Sequence, residues 1–278
     1  MSDQALVALV TALGDDELVL GHRHSEWTGY APHIEEDVAF SSIAQDEIGH
    51  AAAFYAIAAE VTGDDVNKIA FGREPSDYRN ALLCERPNNE WAYTLARHWL
   101  YDTADELRLE MLEDSSHDLL AQLATKMRRE ERYHLIHADM WMKRVAQGPV
   151  EGRSKLAHAV GSAFNDSLGL FEEYEHEDEA LEEGLITIGS KELRERFIRS
   201  ATTTLDKLGM PAGDVLDEEN AEFVASSSGD LISSGPSHDA ADSPGDGLGG
   251  RRGSHTSDLQ EMWDVMTSTY RTNPGASW

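Results

Sequence analysis

Two segments of the sequence pair a glutamate with a histidine three residues later. The first pair is Glu47 and His50, and the second is Glu131 and His134. Residues i and i+3 of a helix lie on one face, so the carboxylate and the imidazole of each pair can reach the same metal ion. A third copy, Glu173 with His176, lies in an acidic run. Because a chain so rich in Glu contains such pairs by chance, only their placement on the helices makes them informative.

A site for two metal ions in a four-helix bundle also needs a carboxylate from each of the two other helices. Asp102 can supply one of them. Glu26, near the end of the first predicted helix, can supply the other, with Glu17 as its main rival. The complete set of predicted ligands is Glu26, Glu47, His50, Asp102, Glu131 and His134. Four carboxylates and two imidazoles suit a pair of redox cations such as iron or manganese better than zinc or a soft metal.

Apolar residues at three- and four-residue spacing predict the long helices that carry these side chains. The four main helices are predicted at about 5–27, 35–61, 89–113 and 118–147. Their arrangement in two pairs, with the longest connection between the pairs, is typical of a ferritin-like bundle. Further helices are predicted at about 151–174, 190–208 and 256–270, and almost no strand is expected. The predicted fold is therefore all-α, a ferritin-like four-helix bundle with additional C-terminal helices.

Between residues 226 and 253 the composition changes to Ser, Gly, Asp and Pro, with few large apolar side chains. A segment of this composition cannot bury a core, so a mobile Ser/Gly/Asp-rich loop is predicted at 226–253. The loop separates a ferritin-like helical domain at 1–225 from a C-terminal helix and tail at 254–278, whose apolar spacing suits docking on the bundle.

Acidic side chains outnumber basic ones by 52 to 23, and the formal net charge is −29. This balance excludes a nucleic-acid binder and disfavours a membrane surface, because both are bound through basic residues. We expect a halophilic protein, since concentrated salt screens the repulsion among so many carboxylates. The beginning of the chain lacks a basic, apolar leader and no apolar run is long enough to span a membrane, so the expected compartment is the cytoplasm. The single cysteine, Cys84, excludes an internal disulfide.

Short segments along nearly the whole chain carry a family resemblance. They are Leu-Gly-Asp-Asp at 13–16, Ser-Glu-Trp-Thr-Gly at 25–29, Arg-Pro-Asn at 86–88, Arg-Tyr-His at 132–134, Gly-Gly-Arg-Arg-Gly-Ser-His-Thr at 249–256 and Pro-Gly-x-x-Trp at 274–278. In these segments the chain resembles the PaaC-type subunits of the multicomponent phenylacetyl-CoA 1,2-epoxidases. The resemblance implies a ferritin-like subunit of a complex that uses O2 and reducing equivalents to epoxidise the ring of phenylacetyl-CoA.

The same resemblance implies three partners: a catalytic ferritin-like paralogue that holds a di-iron centre, a reductase component that acts on the complex, and phenylacetyl-CoA at or near the subunit interface. The PaaC-type subunit is the structural partner in that pairing, and its metal positions are often eroded. Here both Glu-x-x-His motifs are intact. Three interpretations therefore stay open: an inert scaffold, a scaffold that binds two irons, and an active oxygenase subunit.

If the scaffold is inert, the clustered carboxylates need cationic partners, and Arg97, Arg108 or Arg132 is predicted to fill the bundle centre. One rival function is a stand-alone ferritin-like di-iron oxidase or iron-storage protein, which needs no acyl-CoA. The other rival is a purely structural interaction protein.

Paired arginines stand out in so acidic a chain. Guanidinium groups match phosphate geometry, so some of these residues are candidate anchors for CoA or for an acidic partner surface. The four candidates are Arg128, Arg129, Arg251 and Arg252. Three histidines flank the predicted ligands, namely His24, His98 and His137, and we expect them to be ordinary core or surface residues.

Overall fold

A computed structural model describes residues 2–216, 247–273 and 276 of the chain. Within these residues there is no strand, and the predicted all-α, ferritin-like bundle is confirmed. The helices of the bundle are α1 (Asp3–Ser25), α2 (Ile34–Thr62), α5 (Trp91–Leu112) and α6 (Asp118–Ala146). The connection between the two pairs carries two short helices, α3 (Val66–Phe71) and α4 (Leu82–Glu85), and the 3₁₀ turn Pro75–Asp77.

The helices that follow the bundle are shorter. They are α7 (Val150–Leu168), α8 (Glu177–Glu182), α9 (Ser190–Lys207), α10 (Ala212–Val215), α11 (Ser257–Met266) and α12 (Ser268–Thr272). The helix predicted at 151–174 ends earlier, at Leu168, and a 3₁₀ turn at Gly169–Phe171 follows it. Among the described residues, no helix is both long enough and apolar enough to cross a membrane.

The bundle has one covered side and one open side. Helices α4 and α8 pack against α1, while α7 and α9 pack against α5. As a result α1 and α5 are buried around most of their circumference. In α2 and α6 the outward positions stay exposed. The candidate ligands therefore project into the middle of two helical layers. The layer of α1 and α5 is the more fully covered, while α2 also contacts α3 and α6 also contacts α7.

Helix α1 approaches α2 closely at Gly21. A Cβ atom at this position would lie 2.8 Å from Cγ1 of Ile48 and 3.3 Å from Cβ of Glu47, so a larger residue would push the helices apart. The absence of a side chain here lets the backbone of α1 lie directly on the turn of α2 that carries the first Glu-x-x-His motif. This contact positions the two helices for the site described below.

The C-terminal segment enters the body of the protein. Trp263 donates from Nε1 to the carbonyl oxygen of Arg73 at 2.9 Å, and Leu259 and Met262 are buried beside it. Most of the predicted mobile loop, residues 226–246, lies outside the described residues, so its mobility stays a prediction. Its last part differs from that prediction, because Gly250–Arg252 form a 3₁₀ turn in which Arg251 is only 5 % exposed.

Candidate metal centre

Three buried side chains from three helices meet in the middle of the bundle. Glu17 comes from α1, His50 from α2 and Glu131 from α6. Nδ1 of His50 lies 3.5 Å from Oε2 of Glu17 and 3.3 Å from Oε1 of Glu131. The ligand atoms of the three residues all lie within 4.8 Å of one another, a separation at which they can share one metal ion.

The remaining predicted ligands of α2, α5 and α6 surround this cluster. Nδ1 of His134 lies 3.0 Å from Oε1 of Glu131, so the second Glu-x-x-His motif turns both side chains to the same point. Glu47 and Asp102 are each only 1 % exposed. Five of the six predicted ligands are thus buried in the bundle centre, on helices that the spacing predicted to face one another.

The structure does not bring the sixth predicted ligand, Glu26, to the cluster. Helix α1 ends at Ser25, and the side chain of Glu26 is 45 % exposed, with Oε1 2.8 Å from Nη1 of Arg23. Nδ2 of Asn88 donates to its other oxygen at 2.9 Å. Glu17, the rival considered from the sequence, occupies the place instead, because it lies about 13 Å further back along the helix axis at the level of the motifs.

Each motif histidine is held from outside by an acidic residue of the other motif. Nε2 of His50 lies 3.0 Å from Oε2 of Glu130, and Nε2 of His134 lies 3.2 Å from Oδ2 of Asp46. These contacts orient both imidazoles so that Nδ1 points inward, as carboxylates behind metal-binding histidines do. A sequence signal for them existed, since an acidic residue precedes the glutamate in both motifs.

Two further side chains hold the carboxylates of the cluster. Nδ1 of His24 lies 2.8 Å and 2.9 Å from the two oxygens of Glu47, and the hydroxyl of Tyr101 donates to Oε1 of Glu17 at 2.9 Å. The sequence contains no signal for either contact, because each joins residues of different helices.

A row of histidines leads from Asp102 towards the surface. Nδ1 of His98 lies 3.2 Å from Oδ2 of Asp102, and its Nε2 lies 3.3 Å from Nδ1 of His137. His137 in turn lies 2.9 Å from Glu36. His24, His98 and His137, which we expected to be ordinary residues, therefore either contact the cluster or lie one contact away. The spacing of His98 and Asp102, four residues apart on one helix, was the available signal.

Burial and mutual repulsion change the protonation of the carboxylates. Burial raises the pKa of Glu47 well above its usual value, and the charges of Glu17, Glu131 and Asp102 add to this effect. Burial and the charge of Glu131 likewise raise the pKa of Asp102 well above its ordinary range. Without a cation, these two groups therefore favour the protonated form.

The pKa values of the two motif histidines are raised, whereas burial generally lowers the pKa of an imidazole. Burial alone would lower the pKa of His50, but its close contacts with the carboxylates of Glu131 and Glu17 raise it to about 11. Against the same effect of burial, the charge of Glu131 and the contact with Asp46 raise the pKa of His134 to about 12. In the metal-free chain, protons on these imidazoles take the place of a cation.

The inert-scaffold interpretation predicted that arginine fills the bundle centre, and the structure shows that it does not. Arg108 is buried, but it donates to Asp16 at 2.6 Å and to Asp105 at 2.8 Å. Arg97 donates to the carbonyl oxygen of Arg86 at 2.6 Å, and Arg132 is exposed. Within the described part of the chain, histidine supplies every ion pair made by the carboxylates of the cluster.

Several buried polar atoms that lack a hydrogen bond of good geometry lie at this point. Among the described residues they include Oε2 of Glu17, Nδ1 of His50, both carboxylate oxygens of Asp102, Oε1 of Glu131 and Nδ1 of His134. Such atoms are rare in folded proteins because each costs about 1–3 kcal/mol unless something satisfies it. Metal ions would satisfy them, and a donor set of carboxylate oxygens and imidazole nitrogens fits iron or manganese. The residues therefore form a Glu/His site of the di-iron type.

Comparison with known proteins gives the family of the chain. Residues 1–223 match the family model described as phenylacetic acid catabolic protein. The chain belongs to this family. It is also 30 % identical over 276 residues to a protein of Escherichia coli (strain K12) that is named as a subunit of 1,2-phenylacetyl-CoA epoxidase, and the matched stretch covers 98 % of this chain and 99 % of that protein. The family resemblance found in the sequence is thereby confirmed.

In this member of the phenylacetic acid catabolic protein family, the arginines singled out as anchors have different surroundings. Arg251 is used inside the chain, where it donates to Asp16 at 2.7 Å and to the carbonyl oxygen of Arg79 at 2.6 Å. Arg252 is 67 % exposed and pairs with Glu172 at 2.8 Å.

The two arginines of α6 also differ from each other. Arg128 lies among Glu106, Glu110 and Glu113, which neutralise it. Arg129 is exposed. Of the four candidates, Arg129 is therefore the one that is exposed and has no ion pair among the described residues, which leaves it free for a phosphate or an acidic partner.

Proposed function

We propose that this chain is a subunit of a cytoplasmic multicomponent monooxygenase that epoxidises the ring of phenylacetyl-CoA in aerobic phenylacetate catabolism. Its main task is to assemble with a catalytic ferritin-like paralogue, which a reductase component supplies with electrons. The observation that carries this proposal is the 30 % identity, over 98 % of the chain, to a protein named as a subunit of such an epoxidase.

We further propose that the bundle centre binds two iron ions. The proposed ligands are Glu17, Glu47, His50, Asp102, Glu131 and His134, with Glu17 in the place predicted for Glu26. When bound, a pair of irons would supply the change of redox state with which O2 is reduced. The chain's own part is to orient the ligands, through Glu130 on His50 and Asp46 on His134, and to exclude water by burying the centre.

We place phenylacetyl-CoA at or near the interface with the paralogue. The cavity between α1, α5 and the Gly169–Phe171 turn has a volume of about 40 Å³, and such a space holds water molecules, not an acyl-CoA. This enclosed cavity therefore gives the aromatic ring no room, which supports a ring pocket shared with the paralogue. The rival function of a stand-alone iron oxidase or storage protein is not favoured, because the similarity to one component of an epoxidase extends from end to end.

The experiment that tests the subunit role is a reconstitution with one component left out. The chain, its ferritin-like paralogue and the reductase of the same organism are mixed with phenylacetyl-CoA and an electron donor under O2. We expect a product heavier by one oxygen atom when all components are present, and none when this chain is omitted. Full activity of the paralogue and reductase alone would overturn the proposal.

A further inference from the structure

The open side of the bundle, formed by the outward faces of α2 and α6, carries most of the exposed apolar side chains of the described residues. Eight of the eleven large ones lie on these two helices or on the turn before α2. The most exposed on the helices are Ile34 (77 %), Val38 (63 %), Tyr133 (74 %), Ile136 (54 %) and Met140 (52 %). Apolar residues scattered singly need no explanation, but a concentration on one side marks an interaction surface.

The exposed residues of α6 follow the spacing of a helix-packing seam. Arg129, Tyr133, Ile136, Met140 and Lys143 are separated by four, three, four and three residues, and all are exposed. This alternation keeps the five side chains on one face of the helix, with three apolar residues between two cations. The stripe therefore has the form of a seam that packs against another helix.

The two cations of this stripe keep their charge unneutralised in a chain of net charge −29. Arg129 and Lys143, like Arg132 beside the stripe, form no ion pair with any carboxylate of the described residues. Arg128, on the neighbouring face, pairs with three glutamates of the chain itself. Unpaired cations around an exposed apolar centre complement a surface that is apolar in the middle and acidic at its edge.

We propose that the outward faces of α2 and α6 are the docking surface for the ferritin-like paralogue, through a helical surface of that partner with an apolar centre and an acidic edge. This inference rests on the proposed function, which supplies the partner. A second copy of this chain fits less well, because a two-fold contact between α6 helices would bring the cations of Arg129 and Lys143 against their equivalents.

The proposed surface lies directly over the candidate metal centre. Asp46 and Glu130, which hold the motif histidines, are 46 % and 35 % exposed on this side of the bundle. A docked partner would remove water from both carboxylates and so strengthen their contacts with His134 and His50. Assembly and the environment of the centre are therefore coupled through these two residues.

The test is a binding titration between the full chain and the purified ferritin-like paralogue of the same organism, with light scattering to give the mass of the complex. One variant combines Ile136→Asp with Met140→Asp, and the other combines Arg129→Glu with Lys143→Glu. The matched controls are Val150→Asp with Val265→Asp, which change exposed apolar residues elsewhere, and Lys191→Glu with Arg199→Glu on α9. We expect the Kd to rise about ten-fold or more in each stripe variant and less than about two-fold in the controls.

The outcomes separate the surface from the function. Binding by the parent that both stripe variants retain at control strength would overturn the surface and leave the subunit role standing. No binding by the parent would overturn the subunit role, and the surface would lose its partner with it. A dimer of the parent alone that the stripe variants abolish would assign the surface to a second copy and overturn the partner proposed here. All substituted side chains are exposed, so we expect the charge-reversal variant to unfold at the same temperature as the parent. That variant alone decides the test if the aspartate variant folds poorly.

Discussion

Glu17 lies well inside α1, where its carboxylate faces His50 and Glu131 and accepts a hydrogen bond from Tyr101. Its second oxygen is buried without a hydrogen-bond partner. A carboxylate held by one donor and open on its other side is prepared for a cation, whereas Glu26 already has Arg23 and Asn88 as partners. Substitution of Glu17 should therefore weaken metal binding, whereas substitution of Glu26 should not.

We predict that Glu17→Gln weakens Fe(II) binding by about ten-fold or more, because the amide keeps the shape but loses the charge that a metal ligand needs. Glu26→Gln is the matched control and should bind iron as the parent does. Competition with a chelator under anaerobic conditions measures both affinities. Equal affinities for the two variants would show that Glu17 is not a ligand.

Metal binding should also release protons. In the metal-free chain the raised pKa values of Glu47 and Asp102 favour their protonated forms, and those of His50 and His134 keep the imidazoles charged at neutral pH. Each group has to lose its proton before it can bind a metal, so affinity should fall as the pH falls. Calorimetry with Mn(II) in two buffers of different ionisation enthalpy counts the released protons. An identical heat in both buffers would contradict the protonation described here.

Among single residues, the ligands of the two Glu-x-x-His motifs could be predicted from the sequence. The side chains of other helices that contact these ligands could not. Glu47 with His50, and Glu131 with His134, are set by helix periodicity alone, since three residues return the chain to the same face. The contact of His24 with Glu47 depends on the rotation and height of one helix relative to another. Choosing between Glu17 and Glu26 needed the same information, because both lie on the first predicted helix.

Residues 247–253 pack against the body of the protein, which the sequence did not predict. Their Gly-rich composition suggested flexibility, but Gly250 lies so close to the carbonyl oxygen of Asn80 that a Cβ atom there would collide with it. The glycine permits a close approach of two backbones, which delivers Arg251 to the buried carboxylate of Asp16. Composition cannot distinguish a glycine needed for contact from a glycine in a loop.

Arg251→Met should destabilise the fold by about 3 kcal/mol, because it leaves the buried Asp16 with Arg108 as its only cation. Arg196→Met is the control and should change the free energy of unfolding by less than about 0.5 kcal/mol, since Arg196 and its partner Glu192 are both exposed. Chemical denaturation at neutral pH measures both values. Equal stability of the two variants would contradict the role given to Arg251.

The same variant has a defined pH dependence. Burial tends to raise the pKa of Asp16, but Arg251 and Arg108 together lower it below its usual value. A carboxyl with a lowered pKa in the folded state stabilises the protein above its unfolded pKa, and this contribution disappears as the pH falls through the folded value. The difference in the free energy of unfolding between the parent and Arg251→Met should therefore become smaller below about pH 4. A difference that stays constant into acid would assign the loss to packing.

At the scale of the whole molecule, the pairing of four long helices could be predicted from periodicity and the positions of proline. Of the layer that covers α1 and α5, the longer helices α7 and α9 could also be predicted, but α4 and α8 could not, because such short helices are defined by what they pack against. This uneven cover leaves most of the exposed apolar residues on α2 and α6, and the cations Arg129 and Lys143 on α6 without an ion pair among the described residues. The asymmetry of the fold is therefore the basis for the proposed docking surface.

The net charge of −29 is a property of the molecule as a whole. We predict that the thermal unfolding temperature rises from dilute buffer to molar KCl, since the Debye length falls to ~3 Å and repulsion among surface carboxylates is screened. Sucrose of matched osmolality serves as the uncharged control. An unfolding temperature that responds equally to KCl and sucrose would give the acidity another cause than adaptation to salt.

Iron analysis of the isolated chain after anaerobic loading tests whether this chain, and not only its paralogue, binds metal. We expect about two irons per chain, and a loss of most of this iron in Glu131→Ala, whose side chain lies between both motif histidines. Less than about half an iron per chain in the parent, or equal iron in parent and variant, would contradict this expectation.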